Sequence, residues 1–219
     1  KNSPFSADAT QNKDRTEIPL PEVEAETVIR NRGLQQAHIC LGVRTFGNND
    51  RRRYALALLD IIFGSGMGSR LFQNIREKYG FAYSVFSFAE LLSATGVFGA
   101  YIGCDKSKVK KSIQLLREEL EKIKSGDISE LELQQAKSQL RGNLIIGLES
   151  SGRRMRQNGE TEVNGRPHRS LQEILALINS VTKNDIEDLV RELFTLTNTS
   201  ITILSLSLIH ISEPTRPTL

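Results

Sequence analysis

An α+β fold, with a mainly antiparallel sheet covered by helices on one face, is what this chain predicts, and three observations carry the expectation. Two β-rich runs open the folded part, a second pair follows two helical segments, and a last run closes a series of helices. Strands grouped ahead of helices, rather than alternating with them, point to segregated layers and away from a parallel βαβ sheet. The 219 residues, 38% apolar and 25% charged, suffice for a sizeable core. No self-similarity at a period of about 20 to 50 residues suggests a repeat architecture.

Residues 1–21 are polar and carry Pro4, Pro19 and Pro21, the composition of a linker or arm. The fold begins near Glu22. "ETVIRNRG" and "QAHICLGVR" are short β-rich runs broken at Gly33, and in the second His38, Cys40 and Gly42 alternate with Ile39, Leu41 and Val43, so adjacent strands are expected. Asp50 is placed to cap a helix whose Tyr54, Ala55, Leu58, Leu59 and Ile62 share one face and which Gly64 stops. A second helix carries Leu71, Phe72, Ile75 and Tyr79 inward and ends at Gly80. "AYSVFSFA" and "TGVFGAYIGC" then read as an antiparallel pair.

From Ser107 to Lys124, the residues Val109, Ile113, Leu116, Leu120 and Ile123 form one apolar stripe, with Gly126 as the stop. Ser129 and Glu132 make a capping-box pattern, the serine oxygen accepting the third backbone N–H and the glutamate reaching back, before a long helix to about Leu148. The arginine-rich stretch from Ser150 to Gly165 is expected to be helical in part, and "SLQEILALINSV" is amphipathic. Thr182 to Asp185 cap a last helix with Ile186, Leu189, Val190, Leu193 and Phe194 inward, and "TSITIL" closes as a strand. Residues 205–219, most clearly from Ser207 onward, break the pattern and read as a non-native tail, with a native disordered terminus as the alternative.

Composition excludes several classes of function. Lysine plus arginine number 29 against 26 aspartates and glutamates, too slight an excess to argue for nucleic acid or an anionic membrane surface, so charge alone is uninformative about partners. Cys40 and Cys104 alone make neither a disulfide scaffold nor a cysteine metal cluster, and a reducing, cytoplasmic compartment is expected. There is no run of eighteen or more apolar residues. The chain opens at Lys1 rather than methionine, so a fragment of a longer protein is expected.

The stretch "GSGMGSRLFQNIREKYGFAYSV", 64–85, invites comparison with phosphate-binding loops, but it lacks the lysine of a P-loop and the spacing of a dinucleotide fingerprint. By its residues alone it is a helix-to-helix hinge capped by Ser69. His38, His168 and His210 have no partner at metal-ligand spacing. Arg51 to Arg53, and Arg153, Arg154 and Arg156, read as solvated helix faces, since no aromatics interleave them.

The same stretch resembles the C-terminal domain of M16 metallopeptidases, the pitrilysin, insulysin and mitochondrial-processing-peptidase group, above all its small bacterial members. "LPEVEAETVIRNRGLQQAHICLGVR", "LELQQAKSQLRGNLIIGLES" and "EILALINSVTKNDIEDLVRELF" extend the likeness over residues 19 to 204. It implies a LuxS/MPP-like metallohydrolase fold and a zinc-free C-terminal domain over 22–204. In that family zinc sits on an inverted H-x-x-E-H helix of the N-terminal domain; this sequence has no such motif, so no metal ligand is expected here.

The resemblance carries over two residues that the family sends towards substrate, Arg76 in "NIREKYG" and Tyr83 in "FAYSV". It also sets Gly64, Gly66 and Gly68 where relatives have a glycine-rich loop that takes in substrate. Gly68 in place of a serine and Tyr79 in place of a basic residue depart from the pattern without touching Arg76 or Tyr83. The implied partners are a peptide substrate, the zinc-binding N-terminal half and a second copy in a homodimer; alone, the chain is expected to be inactive. Two other readings remain at this point: a non-catalytic core subunit of the same fold, and an anion or nucleic-acid binder that uses the arginine sets.

Overall fold

The computed structural model of the chain describes residues 20, 22, 24–32 and 34–205. The expected tail beyond Ser205 and nearly all of the expected arm lie outside the described residues, as do Gly33 and His210. Five strands, β1 (Thr27–Asn31), β2 (Ala37–Phe46), β3 (Ala82–Leu91), β4 (Thr95–Cys104) and β5 (Thr199–Ser205), form one sheet in the order β1-β5-β2-β4-β3. All neighbours are antiparallel except β1 and β5, so the α+β, mainly antiparallel expectation holds.

One expectation about the sheet fails. β1 and β2 are not neighbours, because β5 lies between them. Strands are only about 4.8 Å apart, so the connection 32–36 can step over one. Residues decide which strand takes the inner place: Ile201 and Ile203 of β5 stand opposite Leu41 and Ile39 and are buried with them, whereas β1 brings only Ile29 to the core. β5 ends in Ser205, itself buried, one position beyond the expected limit of 204.

The helices are α1 (Arg53–Phe63), α2 (Val109–Lys124), α3 (Glu130–Glu149), α4 (Ser151–Val163), α5 (Leu171–Ser180) and α6 (Lys183–Leu193). The expected α1 stripe is buried as read, and so are Val109, Leu116, Leu120 and Ile123 of α2 and Ile186, Leu189, Val190 and Leu193 of α6. These meet Ile39, Leu41, Val43, Phe98, Ala100 and Ile102 from one face of the sheet. Phe98 is fully buried at the centre, with the rings of Phe63 at 6.2 Å and Phe194 edge-on at 5.8 Å. Truncating such a side chain to alanine removes about 3–5 kcal/mol. On the opposite face Phe86 and Val97 remain exposed.

The caps are partly as expected. Thr182 and Asp185 form the reciprocal capping box on α6. Asp50 does not cap α1 directly: its carboxylate accepts the Arg52 N–H at 2.8 Å, an Asx turn that leads into the helix, and α1 has no side-chain cap. On α3 only half of the expected box exists. Ser129 accepts the Glu132 N–H at 3.1 Å, but the Glu132 carboxylate is drawn away by Arg70, since a charged, bidentate partner outbids a backbone N–H.

Candidate functional site

The site is built on the segment that leaves α1 and returns as β3. The N–H groups of Gly64 and Ser65 both donate to the Asp60 carbonyl, at 3.0 and 2.9 Å, which closes the helix. Gly64 passes so near β3 that a Cβ there would lie 2.3 Å from the Ser87 nitrogen. Ser87 in turn donates its hydroxyl to the Asp60 carboxylate at 2.5 Å. Burial pushes the Asp60 carboxyl above its ordinary range, and the Ser87 hydrogen bond opposes that rise.

Beyond Gly64 the loop is tied rather than hinged. Gly66 adopts φ +116°, a conformation that side chains resist. Ser69 does not cap by accepting; its hydroxyl donates to the Gly66 carbonyl at 2.6 Å, because the loop curls back over it. Gln73 holds the Met67 carbonyl at 2.6 Å and leaves the Met67 side chain 75% exposed. Arg70, nearly buried, anchors the whole segment to α3. Its Nε and Nη2 fork onto the two Glu132 oxygens at 2.7 Å, and Nη2 also donates to the Asp127 carbonyl. Gly68 has neither a left-handed φ nor any atom within 4 Å of a would-be Cβ.

The following helix is widened into a π-helix over Phe72–Lys78. Leu71 and Ile75 are buried as expected, but Tyr79 is 41% exposed and stacks on Phe81 at 5.3 Å instead of turning inward. A wider turn rotates each residue by less than an α-helix does, so four-residue steps drift off the stripe. Arg76 sits in the last turn with its guanidinium 5.0 Å over the Phe72 ring. Gly80, at φ +62°, reverses the chain, and Phe81 N–H closes on the Ile75 carbonyl at 3.1 Å.

Tyr83 then occupies a β-bulge. Ala82 pairs with Cys104 and Ser84 with the next residue back, Gly103, which leaves Tyr83 as the extra residue without a partner in the ladder. Ala82 and Val85 are buried while Tyr83 and Ser84 both face out, so the bulge breaks the alternation and presents the phenol, 61% exposed. No hydrogen bond joins Tyr83 to Arg76. Among the described residues neither the Tyr83 hydroxyl nor the Arg76 guanidinium has a hydrogen-bonding or carboxylate partner, so both donors stand free at one end of β3.

Sequence reasoning missed the bulge, the π-helical widening and the Phe72 ring beneath Arg76. Nothing in the sequence pattern announced the bulge or the widening, since both depend on how β3 pairs with β4 and on how the helix closes. His38 is committed elsewhere, with Nδ1 2.6 Å from the Tyr101 hydroxyl. Arg52 is engaged by Asp50 and Glu192, each at 2.7 Å, and Arg53 by the Asn48 carbonyl and the Tyr54 hydroxyl. Among the described residues no group of three or more His, Cys, Asp or Glu could hold a metal ion.

Comparison with known proteins gives this geometry a context. The family described as peptidase M16 inactive domain matches residues 1–140. An uncharacterized zinc protease of Streptomyces coelicolor is 37% identical over 161 residues, which is 74% of this chain and 35% of that protein. The uncharacterized zinc protease YmxG of Bacillus subtilis is 34% identical over 180 residues, 82% of this chain and 44% of that protein. The chain thus spans less than half the length of either. Among solved structures, a conserved protein from Enterococcus faecalis superposes with TM-score 0.75 at 27% identity, over 87% of this chain and 44% of that one. The peptidase M16 inactive domain from Pseudomonas fluorescens superposes with TM-score 0.77 at 19% identity, over 86% of this chain and 45% of that one, a likeness of fold. A family match over most of the chain and relatives above 30% identity lead to one conclusion: this chain belongs to the M16 peptidase family, in the domain type described as inactive.

Proposed function

We propose that this chain is the substrate-binding C-terminal half of a zinc-dependent M16 endopeptidase, acting on unfolded peptides in a chamber completed by an N-terminal half. In this reading zinc belongs to that other half, since the described residues here do not fit it. The part played by this chain is to bind and to stabilise charge. Tyr83 O–H and Arg76 N–H donate to the carbonyl oxygen of the scissile bond, which gains negative charge as the bond is attacked. Gly66 and Gly68, on either side of exposed Met67, contribute backbone on the substrate side; Gly64 shares the loop, but packing against Ser87 already requires a glycine there.

The observation that carries the reading is the bulge. It turns a strand tyrosine out of the ladder and leaves its hydroxyl without a hydrogen-bonding partner, while Arg76 in the preceding helix end rests on the Phe72 ring with its N–H groups uncommitted. Such irregularity costs sheet pairing, and it leaves Tyr83 and Ser84 both outward between buried Ala82 and Val85. The test is hydrolysis of an unstructured peptide by this chain, alone and mixed with the zinc-loaded N-terminal half from the same source. Cleavage by the mixture and not by the chain alone supports the reading. A folded mixture that stays inactive moves the non-catalytic core-subunit reading to the front.

A further inference from the structure

A second feature lies outside this site, among the helices that follow the sheet. The C-terminal turns of α3, the middle of α4 and the start of α5 line a cavity of about 140 Å³ that is open to solvent. Its lining divides in two. Leu144, Leu148, Leu171 and Ile174 make an aliphatic floor, while Arg154, Gln157, Asn158 and Arg169 supply the polar wall.

Neither Arg154 nor Arg169 has an ion-pair or hydrogen-bonding carboxylate among the described residues. Arg169 lies within the field of Glu173, but that carboxylate already accepts the Ser170 N–H and hydroxyl, each at 2.7 Å, in the capping box of α5. The positive charge is local. Residues 150–170 hold five arginines against two glutamates, an excess equal to the formal +3 of the whole chain. Arg52, Arg70 and Arg191, by contrast, are all matched with carboxylates.

We infer that this cavity binds the free C-terminal carboxylate of a peptide ending in an aliphatic residue. Each half of the lining answers a part of that ligand. Guanidinium forks recognise a carboxylate through paired N–H donors. The amides of Gln157 and Asn158 both donate and accept, as the last peptide group of a chain requires. The leucine and isoleucine floor takes one aliphatic side chain, and the volume admits little more. The site does not depend on Arg76, Tyr83 or the cleavage reaction.

The experiment is fluorescence anisotropy on the intact chain, with a dye-labelled hexapeptide ending in leucine, as free acid and as C-terminal amide. The free acid is expected to bind at least about tenfold more tightly than the amide, the loss expected when a charge-assisted hydrogen bond is removed. Arg154→Gln and Arg169→Gln are each expected to abolish that difference while circular dichroism and melting temperature stay unchanged. A peptide ending in aspartate should bind more weakly than the one ending in leucine, because its second charge meets the aliphatic floor. Equal binding of acid and amide, no binding of the acid, or displacement by inorganic phosphate as effective as by the leucine peptide would each overturn the inference.

Discussion

Alanine at the three loop glycines separates packing from function, because the structure assigns each a different constraint. At Gly64 a Cβ would lie 2.3 Å from the Ser87 nitrogen and 2.7 Å from its Cβ and Oγ. Backbone cannot yield as a flexible side-chain end can, and overpacking of this kind costs about 1–3 kcal/mol. Displacing Ser87 also disturbs its hydrogen bond to Asp60, and hydrogen bonds to charged groups contribute about 1.5–3 kcal/mol. A loss of about 3 kcal/mol is therefore expected for Gly64→Ala, equivalent to a fall of about 6–12 °C in Tm for a chain of this size. At Gly66 the penalty is conformational, φ +116°, and about 1–3 kcal/mol follows. At Gly68 nothing lies within 4 Å, so Gly68→Ala should leave stability unchanged or raise it by up to about 1 kcal/mol. Urea unfolding of the three variants decides the matter. A Gly64→Ala chain that unfolds at the wild-type midpoint, or a Gly68→Ala chain that loses as much as Gly64→Ala, would refute the reasoning.

Three further outcomes follow from the same geometry. Arg70→Ala and Glu132→Gln should each destabilise by about 1–3 kcal/mol, and the double mutant by less than their sum, since each single change strands the other partner of a largely buried fork; a double-mutant cycle in urea measures the coupling. Asp60 carries a folded-state pKa raised by burial, so its contribution to stability is present below its ordinary value and is lost as pH rises through the raised one. Asp60→Asn keeps an acceptor for Ser87 and should flatten the fall in stability as pH rises above the ordinary carboxylate range, as followed by unfolding at several pH values. Tyr83→Phe alters an exposed group without a hydrogen-bonding partner and should shift stability by no more than about 0.5 kcal/mol, and Arg76→Ala, which removes only the contact with the Phe72 ring, by no more than about 1 kcal/mol, so a large loss of activity cannot be laid to unfolding.

The parts of the fold legible in the sequence are those fixed by short-range chemistry. The stripes of α2 and α6, the Thr182–Asp185 box and the turns at Gly80 and Gly126 depend on residues within a few positions of each other, and each appears as read. What escaped depends on distant partners. Whether β1 or β5 lies beside β2 is settled by packing of Ile201 and Ile203, some 160 residues away from β2. Glu132 has the right spacing for a capping box, yet Arg70 claims it across 62 positions. Tyr79 fits an α-helical stripe and is exposed because the helix widens. At the site itself, Arg76 and Tyr83 were named through a resemblance, whereas the bulge that turns Tyr83 outward belongs to the pairing of β3 with β4 and is visible only in three dimensions.

The most direct test of the account is the turnover of an unstructured peptide by the two-half assembly with Tyr83 against Tyr83→Phe. The account predicts a fall in kcat of about a hundredfold or more, the loss typical of one hydrogen-bond donor to the reacting oxygen, with the melting temperature unchanged. An assembly that cleaves at the wild-type rate without that hydroxyl would contradict it.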